Sequence, residues 1–428
     1  MSNFSFYIVL IILLTTACAR LPLKDPARSL RKYSQPLEFK DDLQKESLIE
    51  NLKSHIDFFK KHKNPEANIS FGSKNILYAV YIAALEDLVK AYYKSGWQGY
   101  LSVLKEKFEV HEVYGQEEYG DVFITSYYNP IIQASYKKKP SHSQPIYGRP
   151  KDLLDIKWDS FLDVFPKLKK YQTKVEAKSL NKTIRAKLQK TEDGKWFATP
   201  YESRELIDDR SNKYNSADVL AWVDPIDSFF MQIQGSGLLE FPDGKRHYYG
   251  YAAQNGHPYV AIGRFLTDII PLEEMSMGKI DKHLRSLPSE ELAKILNENP
   301  SYVFFAKLNG KPQTTLGTEV VPGRTIATDG SFFPKGALAY LEFEAPYWQG
   351  EELKYKKTSR FVMDQDTGGA IRGPGRLDLY WGEGVEAQKH AGVMKNRGRL
   401  YYLVPKSLKK TLPVERPGPQ VNSALINN

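Results

Sequence analysis

The sequence predicts a mainly β protein with helices near its N-terminus, divided into two domains. Three observations lead there. At 428 residues, the chain is longer than one hydrophobic core usually organises. Apolar residues recur at helical spacing only before Gln116 and again between Ala261 and Asn299. Elsewhere short β-branched and aromatic runs alternate with turn residues, at the spacing of a small barrel or sandwich.

In chain order, the apolar run Tyr7 to Leu14 is too short to span a membrane and ends in Thr15, Thr16 and Ala17 before Cys18. Residues 1–18 therefore read as a signal peptide. They resemble a bacterial lipoprotein signal, which implies lipidation of Cys18; Ala19 after it would then direct the protein to the periplasmic side of the outer membrane. Ordinary secretion into the periplasm or medium is the alternative. Residues 19–40 carry prolines and charges without periodicity and read as a tether. Leu48, Leu52, Ile56 and Phe59 predict one helix, and a second is expected from Ser73, as N-cap, toward Tyr93. Val122 to Pro130 reads as a strand stopped by Asn-Pro. Phe229 to Gly237 alternates into two glutamines and reads as a strand with Gln232 and Gln234 on one face. Strands are expected at 302–305, 325–328, 337–343, 359–363, 377–381 and 399–404, and the Pro- and Asn-rich end, 411–428, reads as a flexible tail.

Composition narrows the function classes. The 41% hydrophobic content suits a soluble globular body, and the net charge of +9 favours anionic partners. No zinc finger, helix-turn-helix or RNP motif supports nucleic acid as that partner. A single cysteine, Cys18, excludes an intrachain disulfide framework. With no HExxH, paired CxxC or Walker A sequence, the expectation is no metal and no cofactor.

The carboxylates are the better candidates for chemistry. In Arg376-Leu-Asp-Leu-Tyr380, strand alternation sends Arg376, Asp378 and Tyr380 to one face and Leu377 and Leu379 to the other. In a partly dry groove, burial raises the pKa of Asp378, an ionised Asp366 raises it further, and Arg376 opposes both. A carboxyl held protonated in this way can serve as a general acid toward a glycosidic oxygen. The competing reading is an aspartate simply paired with Arg376. Gln232 and Gln234 suit sugar hydroxyls, although edge-strand glutamines are often merely solvated. Gly368, Gly369, Gly373 and Gly375 let the backbone turn tightly or approach a ligand, and two ordinary β-turns would need the same residues.

The wider set of motifs adds a family. Asp329 in Ile326-Ala-Thr-Asp-Gly330, Asp366 in Gln365-Asp-Thr-Gly-Gly369 and Asp378 in Leu377-Asp-Leu-Tyr380 resemble the three aspartates of the three-aspartate (3D) domain. With Tyr127-Tyr128, Gln232-Ile-Gln-Gly-Ser-Gly237, Ile262-Gly-Arg264 and Asn299 to Phe305, the chain from about Thr125 to Pro405 resembles the membrane-bound lytic transglycosylase A family. The resemblance implies a double-psi β-barrel formed by residues 41–130 and 300–410, a second β-barrel inserted over 131–299, and a groove between them that holds a peptidoglycan strand. It places the catalytic acid on Asp378, with Asp366 and Asp329 in support. Glycan contacts would come from Thr125, Tyr127, Tyr128, Gln232 and Gln234, and from Gly235, Ser236, Gly237, Gly368, Gly369 and Tyr380. The implied reaction is cleavage between N-acetylmuramic acid and N-acetylglucosamine with formation of a 1,6-anhydro product. The alternative is a noncatalytic peptidoglycan-binding or scaffold protein on the same fold.

Overall fold

A computed structural model describes residues 23–162, 164–171, 183–209, 217–369 and 371–406. The first strand is β1 (Leu30–Lys32), followed by α1 (Lys45–His62), in which Leu48, Leu52, Ile56 and Phe59 form the buried stripe. Strands β2 (Asn68–Phe71) and β3 (Lys74–Leu77) form a hairpin whose turn needs Gly72 at φ 57°, and α2 (Tyr78–Lys107) follows. Ser73 therefore lies in this turn and does not cap the helix. Next come β4 (Phe108–Val113) and β5 (Val122–Asn129).

A second unit begins with β6 (Ile131–Gln133), directly across Pro130 from β5. It continues with β7 (Gln144–Tyr147), β8 (Leu153–Lys157), β9 (Thr183–Lys190) and β10 (Trp196–Pro200). Then follow α3 (Arg204–Asp208), β11 (Val219–Val223), α4 (Pro225–Gln234), β12 (Ser236–Glu240) and β13 (Arg246–Gln254). After α5 (Met277–Arg285) and α6 (Ser289–Asn297), β14 (Val303–Lys307) completes the sheet β14-β13-β12-β6. This sheet shares a core with the pair β7 and β11 through Ile132, Ile146, Val223, Leu239 and Phe305.

The chain then returns with β15 (Thr325–Ala327), β16 (Ala337–Gln349), β17 (Glu352–Asp366), β18 (Arg376–Glu383), α7 (Gly384–Ala391) and β19 (Asn396–Pro405). Strands β19-β16-β17-β15-β18-β5 close into a barrel because β19 also pairs with β5. Its strands bury Leu341, Met363, Leu377, Leu379 and Leu403, and α1 and α2 join the same core. Short β15 is wedged between β17 and β18, and its Ala327 is in register with both Asp366 and Asp378.

Two further sequence expectations are corrected. The stretch 229–237 is not a strand, because α4 occupies Pro225–Gln234. The Asp224 carboxylate caps it by accepting from the Ile226 and Asp227 amides, Pro225 suits the first turn, and Gly235 ends it at φ 81°. The expected tether is also shorter than 19–40. Leu30 to Lys32 pair with β4, and Phe39 packs between Tyr340 and Phe361. Two residues further on, the Asp41 carboxylate meets the Arg324 guanidinium at 2.6 and 3.0 Å, with both side chains fully buried. Arg324 also donates to the Phe361 and Gln44 carbonyls and the Ser47 hydroxyl, so every N–H group of its fork is used. That clamp holds the residue immediately preceding β15.

Candidate active site

The centre of the site is the parallel register of β18 on β5, which sets Asp378 opposite Thr125. Leu377 and Leu379 on the other face are fully buried in the barrel core, so Asp378 is forced outward. The Thr125 hydroxyl donates to Asp378 Oδ1, and Arg376 Nε approaches the same oxygen at 3.8 Å. The Asp378 side chain is 21% exposed, which leaves a path for a proton. Burial is the largest influence on its pKa and raises it. The Arg376 charge and the Thr125 hydrogen bond pull it down, and the Asp366 charge adds to the rise, with a net upward shift.

Asp366, at the end of β17, is held by four hydrogen bonds. Its Oδ1 accepts from the Thr315 amide (2.9 Å), the Thr315 hydroxyl (2.6 Å) and the Thr367 amide (2.9 Å), while Oδ2 accepts from the Tyr127 hydroxyl (3.0 Å). Thr315 was not singled out in the sequence, where nothing in a loop 51 residues away from Asp366 marks it. Asp329 fastens two loops together. It accepts from the Ser331 amide and hydroxyl on one side and from the Gly373 amide at 2.7 Å on the other. Gly373 sits at φ 79°, where a side chain would be strained. Asp364 was also missed. It is fully buried with Lys335 (2.8 Å), Thr328 (2.6 Å) and Tyr402 as partners, and it ties the loop after β15 to β17 and β19.

From the second unit, Tyr259 lies close enough to Arg376 for that charge to act on its hydroxyl. The two units are joined by hydrogen bonds from Tyr248 to Glu383 (2.8 Å), Ser236 to Asn129 (2.8 Å) and the Tyr128 amide to Gln234 (3.0 Å). A cavity of about 310 Å³ among Lys63, Ser70, Tyr78, Ser331 and Lys335 does not include Asp378. Among the described residues no group of His, Cys, Asp and Glu is arranged to hold a metal ion.

Two family models match the chain: the MltA-specific insert domain over residues 123–306 and the 3D domain over residues 324–404. The membrane-bound lytic murein transglycosylase A of Escherichia coli K12 is 31% identical over 300 residues, covering 68% of this chain and 67% of the relative. The chain belongs to the membrane-bound lytic murein transglycosylase A family. Among solved structures, the membrane-bound lytic murein transglycosylase of Agrobacterium tumefaciens matches with a TM-score of 0.68 at 26% identity, covering 88% of this chain and 98% of that one. MltA of Neisseria gonorrhoeae matches with a TM-score of 0.63 at 26% identity, covering 85% and 89%. The match to the MltA insert model begins on β5 and ends in β14, and the 3D model contains Asp329, Asp366 and Asp378.

Within this MltA framework the sequence-predicted glycan contacts separate into two groups. Thr125 and Tyr127 stand beside the aspartates, and Gly235 and Gly369 border open space. The others have partners or close neighbours within the fold. Gln232 is buried, and its carbonyl accepts from Arg204 (2.8 Å) and the Val303 amide (3.2 Å). Helical geometry turns it inward, where a strand would have presented it to sugar. Gln234 is engaged by the Tyr128 amide and Ser236 by Asn129. Tyr128, adjacent to Tyr127 on a strand, points to the opposite face and is buried against α7. Tyr380 is buried with its ring 5.1 Å from that of Tyr127. Gly237 and Gly368 leave room for Met231 and Ile371, and Gly375 for the backbone of Gly115. Cys18 lies outside the described residues.

Proposed function

We propose that this protein is a peptidoglycan lytic transglycosylase with Asp378 as its single catalytic acid and base. The observation that carries this reading is the placement of Asp378, set outward on β18 opposite Thr125 with 21% of its side chain exposed, where burial, the strongest influence on it, favours the protonated form. Such a group can hold a proton for the glycosidic oxygen between N-acetylmuramic acid and N-acetylglucosamine. As the C1–O bond breaks, positive charge develops at C1 and the ring oxygen, and Asp378 becomes ionised. The C6 hydroxyl of the same muramic acid then attacks C1, and Asp378 takes its proton back to leave a 1,6-anhydro sugar. Intramolecular attack gains high effective molarity, so no second carboxylate is needed to activate water. Asp366, its oxygens committed to Thr315, Thr367 and Tyr127, acts as a fixed negative charge beside the acid. Asp329 holds the Gly373 loop at the start of β18 in place. The relatives' names as murein transglycosylases support the substrate class.

We also propose lipid anchoring at Cys18 on the periplasmic side of the outer membrane, in line with the relatives' description as membrane-bound. Because ordered pairing starts at Leu30, the twelve residues after Cys18 reach at most roughly 40 Å, which keeps the barrel near the bilayer. Cys18→Ser should release the protein from membranes, and unchanged fractionation would remove the anchor from the account. For the reaction itself, incubation with murein sacculi should yield soluble anhydro-muropeptides by mass spectrometry. If the protein binds sacculi but releases no such products, it is a glycan-binding protein instead.

A further inference from the structure

We infer that the cavity beside the row of aspartates receives the acidic peptide branch of the substrate, with the Lys63 ammonium pairing with a carboxylate of that branch. This rests on the function proposed above. The cavity measures about 310 Å³, at the lower end of the range for sites that take a small ligand. Its wall combines the apolar side chains of Tyr78, Leu316, Phe332 and Phe333 with two lysines, Lys63 and Lys335, and no described Asp or Glu lines it.

The two lysines differ in what they have left to give. Lys335 spends its three donors inside the protein, on the Asp364 carboxylate (2.8 Å), the Thr328 carbonyl (3.0 Å) and the Thr328 hydroxyl (2.7 Å). Lys60, Lys74 and Lys335 each pair with a carboxylate, whereas Lys63, at the end of α1, has none among the described residues. Its Nζ instead stands 6.0 Å from the centre of the Tyr78 ring, another part of the cavity wall. An ammonium steadied over an aromatic face keeps its donors for a ligand, and an anion is the ligand it suits.

The cavity also adjoins the groups that hold the site. Leu316 follows Thr315, which donates to Asp366, and Gly330 and Ser331 follow Asp329. Gly330 stands beside Thr367, whose amide donates to Asp366: a Cβ at Gly330 would lie 3.6 Å from Thr367 and 3.5 Å from Lys335. In the barrel, Asp366, Ala327 and Asp378 are in register on β17, β15 and β18, which puts the two aspartates two strand spacings apart, roughly 10 Å. The cavity lies on the Asp366 side, because Leu316 and Lys335 bond to Gln365 and Asp364 of β17 and no residue of β18 lines it. A peptide of about four residues spans roughly 13 Å when extended, so a branch that starts from the lactyl group of a muramic acid at Asp378 and passes Asp366 can end in the cavity. Its alanine methyl groups suit the aromatic wall and its carboxylates suit Lys63. In a peptide-free strand the lactyl carboxyl stays at the sugar, out of reach of Lys63.

The test compares the full-length protein with Lys63→Gln on peptide-bearing strands and on the same strands stripped of peptide. KM and kcat are measured from anhydro products, and equilibrium binding of labelled strands with Asp378→Asn in both proteins to prevent turnover. On peptide-bearing strands Lys63→Gln should weaken binding and raise KM about five- to twentyfold, the scale of one charge-assisted hydrogen bond, with kcat unchanged. On peptide-free strands the two proteins should agree, and Lys63→Arg, which keeps the charge, should bind peptide-bearing strands nearly as the wild type does. A free acidic peptide with the sequence of the branch should compete with peptide-bearing strands for the wild type and lose that effect in Lys63→Gln. Equal behaviour of wild type and Lys63→Gln on peptide-bearing strands, or an equal loss on both strand types, overturns the inference. If the variant folds poorly the wild-type competition decides, and failure of the free peptide to compete overturns it. Binding is read without turnover, so absence of anhydro products counts against the catalytic reading and leaves the Lys63 comparison intact.

Discussion

Replacing Asp41 with alanine should be among the most damaging changes in the barrel, although Asp41 carries none of the chemistry. The substitution removes one partner of a pair in which both side chains are fully buried and leaves the Arg324 guanidinium charged and short of two acceptors. It also strips the Phe361 amide of its acceptor. Breaking a buried pair from one side costs about 3–5 kcal/mol, mostly the penalty for the stranded charge. For a cooperative unit of about 150–250 residues, at roughly 2–4 °C per kcal/mol, Tm should fall by about 6–20 °C. The effect should reach the site, because Arg324 adjoins β15, and β15 fixes the spacing of the strands bearing Asp366 and Asp378. Calorimetry and urea unfolding of Asp41→Ala, and of Asp41→Leu combined with Arg324→Met, provide the assay. The double variant should recover much of the loss, since an apolar pair of similar volume leaves no unpaired charge. A single variant that loses less than about 1 kcal/mol would refute the reasoning, because a solvent-screened pair is worth no more than that.

Two further outcomes test the site. In Thr125→Val, Asp378 loses a hydrogen bond that favours its ionised form, so its pKa should rise and the alkaline limb of the pH–rate profile should move to higher pH; an unmoved or lowered limb contradicts the assignment. Gln232→Ala takes an acceptor from buried Arg204 and should destabilise the fold by about 1–3 kcal/mol while leaving sacculus binding unchanged; weakened binding with normal stability would restore Gln232 as a glycan contact.

Legibility in the sequence followed the range of the interactions. The strands β5 and β15 to β19 announced themselves through short apolar runs between turns, and the outward placement of Asp378 followed from Leu377 and Leu379 alone. Helix α4 was misread because its run of Phe, Met, Gln and Ile alternates over a few residues. The decisive signals lay at its ends, in Asp224-Pro225 and Gly235, where a cap, a first-turn proline and a left-handed glycine all mark a helix. Strand β1 is three residues long, too few to show a period. The Asp41–Arg324 clamp and the Thr315–Asp366 bonds span 283 and 51 residues, respectively, and no local pattern encodes either pairing. The three aspartates looked similar in sequence. Their surroundings make them different: Asp378 partly exposed with a hydrogen bond from Thr125, Asp366 held by four hydrogen bonds, Asp329 a clasp between loops.

The most direct test of the single-acid account compares the wild type with Asp378→Asn on murein sacculi, measuring anhydro-muropeptide release together with sacculus binding. Asparagine keeps the shape and the hydrogen bond from Thr125 but carries no transferable proton. The account predicts product formation reduced by at least about a hundredfold, the low end for loss of a general acid, with binding nearly unchanged. Anhydro products released by Asp378→Asn at a rate near that of the wild type would contradict it.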